Sequence, residues 1–112
     1  MLADSLNDIL GELYLRIRQI MDEEAVEIIL YGSYARGDFD RESDLDIAVI
    51  VENNRIDIKK YRRQMVSLMS DLSLKYDVVV GITCIPFSDF EEYKEVLPYY
   101  RNINNEGVRV VA

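Results

Sequence analysis

Leu2, Leu6, Ile9, Leu10, Leu13, Ile17 and Ile20 recur three or four residues apart with charged residues between them, a spacing that predicts an amphipathic first helix. Ala25 to Tyr31 (AVEIILY) is a short apolar run stopped by Gly32-Ser33, which reads as a buried strand ending at a turn. Residues 32 to 43 are small and polar, and predict a tight turn of at most one helical turn followed by a loop. Leu45 to Val51 (LDIAVIV) is rich in β-branched residues and reads as a second strand, broken by Asn53-Asn54. Tyr61, Met65, Leu68, Met69 and Leu72 share one face of a second amphipathic helix, and Tyr76 to Ile82 (YDVVVGI) reads as a third strand. Ser88-Asp89-Phe90-Glu91 has the form of a capping box, in which Glu91 reaches back to the Ser88 amide to open a short helix. Pro98 suits the first turn of a last helix and Gly107 its stop. The order α-β-β-α-β-α-α predicts an α/β fold, a small mixed β-sheet flanked by helices.

With 112 residues and neither linker nor repeat, the chain is expected to form one domain, residues 1–112. That length leaves no room for a large substrate-recognition domain. Any acceptor is therefore small, or is a protein that supplies the rest of the site. The net charge of −8 lacks the basic surface that polynucleotide binding requires, so a direct nucleic-acid partner is not expected. Lys59-Lys60 and Arg62-Arg63 read as a solvated helix face. No histidine is present, which closes off Cys/His catalysis and a zinc site. The lone Cys84 reads as a buried strand residue and fits a reducing compartment, so a cytoplasmic location is expected. Acidic residues Asp4, Asp8 and Glu12 break any signal-peptide core, and no membrane association is expected.

The stretch from Tyr31 to Ile50, YGSYARGDFDRESDLDIAVI, carries the candidate chemistry. Gly32 and Gly37 have P-loop spacing, but Asp38 stands where the lysine must be. Asp38-Phe39-Asp40 opens like an EF-hand loop, yet Ser43 replaces its glycine and Val49 its glutamate. Asp44-Leu45-Asp46 remains, at the start of an apolar strand. Residues two apart on a strand share a face, so Asp44 and Asp46 put two carboxylates together while Leu45 and Ile47 face the core. Two like charges held that close are costly unless a cation bridges them, and Mg²⁺ takes one or two carboxylates plus phosphate oxygens. Gly32-Ser33, directly after a strand, lets phosphate approach the backbone and adds a hydroxyl donor. The bland alternative is a polar start to a strand.

The spacing G-S, ten residues, D-x-D resembles the signature of DNA polymerase β-type nucleotidyltransferases, and Gly32-Ser33-Tyr34-Ala35-Arg36-Gly37 resembles their minimal bacterial and archaeal members. The resemblance implies the nucleotidyltransferase fold, ATP as substrate and Mg²⁺ as cofactor. It assigns Asp44 and Asp46, with Asp77 as a third carboxylate on a later strand, to catalysis and metal binding. Gly32, Ser33 and Arg36 fall to nucleotide binding, although a salt bridge from Arg36 into the acidic loop of Asp38, Asp40 and Glu42 competes with that role. It further implies an antitoxin that transfers AMP to a tyrosine of a HEPN-type ribonuclease toxin. Two other functions stay open: an antitoxin that inhibits by contact alone, and an enzyme that modifies a small hydroxylated molecule.

Overall fold

The structure, a computed structural model, describes residues 5–52 and 58–111; Leu2 and the Asn53-Asn54 break lie outside them. Helix α1 spans Leu6–Met21 and buries Ile9, Leu13, Ile17 and Met21, a stripe at four-residue spacing. Strand β1 (Ala25–Tyr31) leads into a single helical turn, α2 (Ser33–Arg36), and strand β2 follows at Leu45–Val51. Helix α3 (Arg62–Tyr76) is preceded by a 3-10 turn over Lys59–Tyr61 and buries Met65, Leu68 and Leu72. Then come β3 (Val80–Pro86), α4 (Phe87–Tyr93), α5 (Pro98–Glu106) and the two-residue β4 (Val108–Arg109). The basic residues from Lys59 to Arg63 are exposed, as a solvated face requires.

The four strands form one mixed sheet in the order β3-β2-β1-β4. β1 is antiparallel to both β2 and β4, whereas β2 and β3 run parallel. One face carries Ile28, Leu30, Leu45, Ile47, Val49 and Val80 and packs against α1 and α3. The other carries Ile29, Ala48, Ile50 and Ile85, covered by Phe90 of α4 and Ile103 of α5. That second cover is partial. It ends where β2 begins, and there the same face continues as Asp46, Tyr31 and Gly81.

Two expectations from the sequence need correction, and one strand is unanticipated. The third strand runs over Val80–Pro86, not Tyr76–Ile82. Lys75 and Tyr76 both reach Glu12 of α1, the Tyr76 hydroxyl donating at 2.7 Å, and this packing keeps them helical. Asp77 then ends α3 with a left-handed backbone (φ 53°, ψ 53°), which aspartate adopts more readily than most residues. The capping box is also absent. α4 starts from Pro86, whose extended backbone sets the helix origin one residue before Ser88, and Glu91 pairs with Lys94 instead. β4 has no counterpart in the sequence reading, because two residues are too few to show a period.

Gly107 does end α5, and for a packing reason: a Cβ there would strike the Ile103 carbonyl and the Ile29 side chain. β3 is an edge strand, and two of its outward amides are covered. The Val80 N–H donates to Ser73 Oγ at 3.1 Å and the Ile82 N–H to the Met69 sulfur at 3.3 Å. Such cover blunts strand addition at that edge. Cys84 lies half-buried on β3, where desolvation pushes its thiol up to about 11, so it is not a thiolate at neutral pH. Among the described residues, no helix is long and apolar enough to cross a membrane.

Candidate active site

The uncovered half of the second sheet face is built by the ends of three strands. Leu45 and Ile47 are fully buried on the helix-covered side, which turns Asp46 to the opposite face. Asp44 stands one residue before β2 and is exposed; Asp46 is half-buried. The loop that delivers Asp44 is tied by Asp40, whose carboxylate accepts from the Glu42 amide at 2.9 Å and the Ser43 hydroxyl at 3.3 Å. The Leu45 amide donates to the Val79 carbonyl at 2.8 Å, fixing the start of β2 against β3.

Gly32 faces Asp46 from the end of β1. Its backbone (φ 75°, ψ −156°) lies in a region open almost to glycine alone, and a Cβ there would collide with the Asp46 carboxylate. The turn and the carboxylate are therefore in van der Waals contact. Ser33 opens α2, a single turn closed by the Ala35 and Arg36 amides, which both donate to the Gly32 carbonyl at 3.1 Å. Tyr34 holds this turn in place: it is buried in the main core and stacks on Phe39 at 4.3 Å.

Burial raises the Asp46 pKa above the usual carboxylate range, and the neighbouring Asp44 charge adds to the rise, while Arg36 opposes it. An acid with a raised folded pKa destabilises the fold once pH climbs past its unfolded value, and has no effect below that. Without metal, Asp46→Asn is thus expected to melt at or above the wild-type temperature at pH 7, with the difference vanishing near pH 3. Thermal unfolding across that range checks it, and a lower melting temperature at pH 7 would contradict the placement.

Asp44 is near enough for its charge to act on Asp46, and a carboxylate pair is the donor type that a divalent cation takes. Among the described residues, no cluster of three or more potential ligands is arranged around a common point. Asp77 does not share the strand face. It lies at the end of α3 and meets Asp44 by lining the same cavity of about 320 Å³, together with Ser43, Ser73 and Val79. The strand position beside Asp46 on β3 is Gly81. Arg36 donates to Asp38 at 3.2 Å and to Glu106 of α5 at 3.3 Å. These bonds, the one to Asp38 first, raise its pKa further. The ion pair into the acidic loop is therefore present, and a second one reaches a helix the sequence did not connect to it.

The sequence does not single out Tyr31 or Tyr99 as site residues. Tyr31 pairs directly with Asp46 across the strands, and its hydroxyl lies 2.8 Å from that of Tyr99. Burial, then the bond to Tyr99, pushes the Tyr31 phenol well above its ordinary pKa. Only Tyr31 left a local signal, by directly preceding Gly32-Ser33.

A family model described as the nucleotidyltransferase domain matches residues 15–110. Three proteins of Methanocaldococcus jannaschii, each named "putative protein adenylyltransferase", are similar to the chain. One is 36% identical over 74 residues, 66% of this chain and 73% of the relative. Another is 42% identical over 81 residues, 72% of this chain and 52% of the relative. A third is 35% identical over 81 residues, 72% of this chain and 73% of the relative.

Proposed function

The chain belongs to the nucleotidyltransferase domain family, and we propose that it transfers AMP from ATP to a tyrosine hydroxyl of a partner protein, a HEPN-type ribonuclease toxin, and so acts as its antitoxin. One observation carries the site assignment: Asp46 stands on an uncovered sheet face in contact with the Gly32 turn, and Asp44 precedes it by two residues at the exposed start of the same strand. The names of the relatives support adenylyl transfer to protein, and the site is open rather than enclosed, which suits a macromolecular acceptor. The net charge of −8 suits a basic, RNA-cutting partner.

Each residue then has a task. Gly32 lets the triphosphate lie against the backbone, while Ser33 and the first amides of α2 donate to its oxygens. Asp44 and Asp46 would hold Mg²⁺, which when bound would neutralise phosphate charge and polarise the reacting oxygens. Asp77, lining the cavity beside Asp44, accepts the acceptor's proton or completes a second cation site. Attack at the α-phosphorus leaves AMP on the acceptor and releases pyrophosphate, with positioning and charge neutralisation supplying the catalysis. Arg36 is held beside this turn by Asp38 and Glu106, within electrostatic range of Asp46.

The test mixes the chain with the partner encoded beside it, ATP and Mg²⁺. The partner should gain adenylate by mass spectrometry and stay inactive in RNA cleavage after the two proteins are separated, because the new bond is covalent. Asp77→Asn should slow the gain while complex formation persists. Inhibition by contact alone gives the reverse: no mass change, activity restored on separation, and full neutralisation by an Asp44/Asp46/Asp77 triple variant.

A further inference from the structure

Helix α5 lowers an exposed tyrosine onto the same open sheet face. Tyr99 is the second residue of α5 and 47% exposed. Its ring meets that of Tyr31 edge-on at 6.0 Å, and the two hydroxyls are 2.8 Å apart. Tyr31 lies opposite Asp46 in the strand register and on the same face. The phenol oxygen of a half-exposed residue is therefore held on the carboxylate side of the sheet by a residue directly beside Asp46. Anchoring of α5 would explain the ring contact. It does not explain why the hydroxyl turns inward on a helix already tied to α2 by the Arg36–Glu106 ion pair.

We propose that Tyr99 is an acceptor of the chain's own adenylyl transfer, reached within a single molecule. The proposal rests on the adenylyl-transfer reading above. The Tyr99 oxygen attacks the α-phosphorus of bound ATP, and a phosphorus–oxygen bond forms there. The bond from the α-phosphorus to the bridging oxygen breaks, pyrophosphate departs with that electron pair, and the phenolic proton leaves to water. The step needs ATP alone as co-reactant. Because Tyr31 already holds the hydroxyl in place, the reaction is unimolecular once ATP is bound. The product carries a nucleotide over the site and its Tyr99 oxygen no longer has a proton to give, so that oxygen is modified once.

The purified chain, incubated with ATP and Mg²⁺ and followed by intact and tandem mass spectrometry, tests this directly. The expected result is one adenylate per chain, located on Tyr99, at a first-order rate that a tenfold dilution leaves unchanged. Tyr99→Phe keeps the ring contact and should lose the adduct, as should Asp44→Asn with Asp46→Asn. An unmodified wild-type chain, an adduct on another residue, full modification of Tyr99→Phe, or a rate that falls on dilution would each overturn the proposal. Metal-dependent ATP binding, measured by calorimetry on the same samples, separates the causes: if it persists, only the Tyr99 assignment falls, and if it is absent, the nucleotide site itself falls.

Discussion

Gly32→Val is expected to lower stability by about 3 kcal/mol and to abolish ATP binding. The backbone term comes from a conformation open almost to glycine alone, which costs a non-glycine residue about 1–3 kcal/mol and a β-branched one the upper end. The second term is the collision of any Cβ with the Asp46 carboxylate, which must move or push the turn away. For a domain of this size that loss lowers the melting temperature by roughly 10–20 °C. Binding is lost for a separate reason, since the valine methyls occupy the place where phosphate would meet the backbone. Gly37 supplies the control. It too has a positive φ (87°), but nothing lies within 4 Å of an added Cβ. Gly37→Ala should therefore cost about 1 kcal/mol of backbone strain and leave ATP affinity unchanged. Circular dichroism melts and calorimetric titration of the two variants compare these effects. A Gly32→Val protein that melts with the wild type and binds ATP equally would remove the turn from the site.

Asp44→Asn combined with Asp46→Asn separates fold from function most sharply. Neither carboxylate supports the core: Asp44 is exposed, and Asp46 is half-buried under a charge penalty that amidation relieves. The double variant should fold and melt at or above the wild-type temperature. Its affinity for ATP in Mg²⁺ should fall by roughly a hundredfold, about 2.8 kcal/mol, to the level of wild type in chelator. Calorimetry with and without Mg²⁺ reads both numbers. Metal-dependent binding that survives the double substitution would place the nucleotide elsewhere.

Much of this site can be read locally. The strands Ala25–Tyr31 and Leu45–Val51 have the bounds the sequence predicts, because glycine and polar residues flank continuous apolar runs. The period of two placed Asp46 opposite Leu45 and Ile47 without any tertiary knowledge. Asp77 misled for the opposite reason. A β-branched run after Tyr76 looks like a strand, but contacts to Glu12, 64 residues away, prolong the helix and leave Asp77 at its left-handed end. Tyr99 and Glu106 reach Tyr31 and Arg36 from 68 and 70 residues away, and no window along the chain reports such meetings. They depend on how α5 crosses the sheet, which the sheet order β3-β2-β1-β4 sets.

Nucleotidyl transfer at the Asp44–Asp46 face is tested most directly by the label that ends on protein. The chain and the proposed partner toxin are incubated with Mg²⁺ and ATP radiolabelled at either the α- or the γ-phosphate, then resolved under denaturing conditions. Label from the α-phosphate should become covalently attached to protein, the γ label should leave in pyrophosphate, and the Asp44→Asn, Asp46→Asn double variant should attach neither. Attachment of the γ label, or α label carried equally by the double variant, would contradict the account.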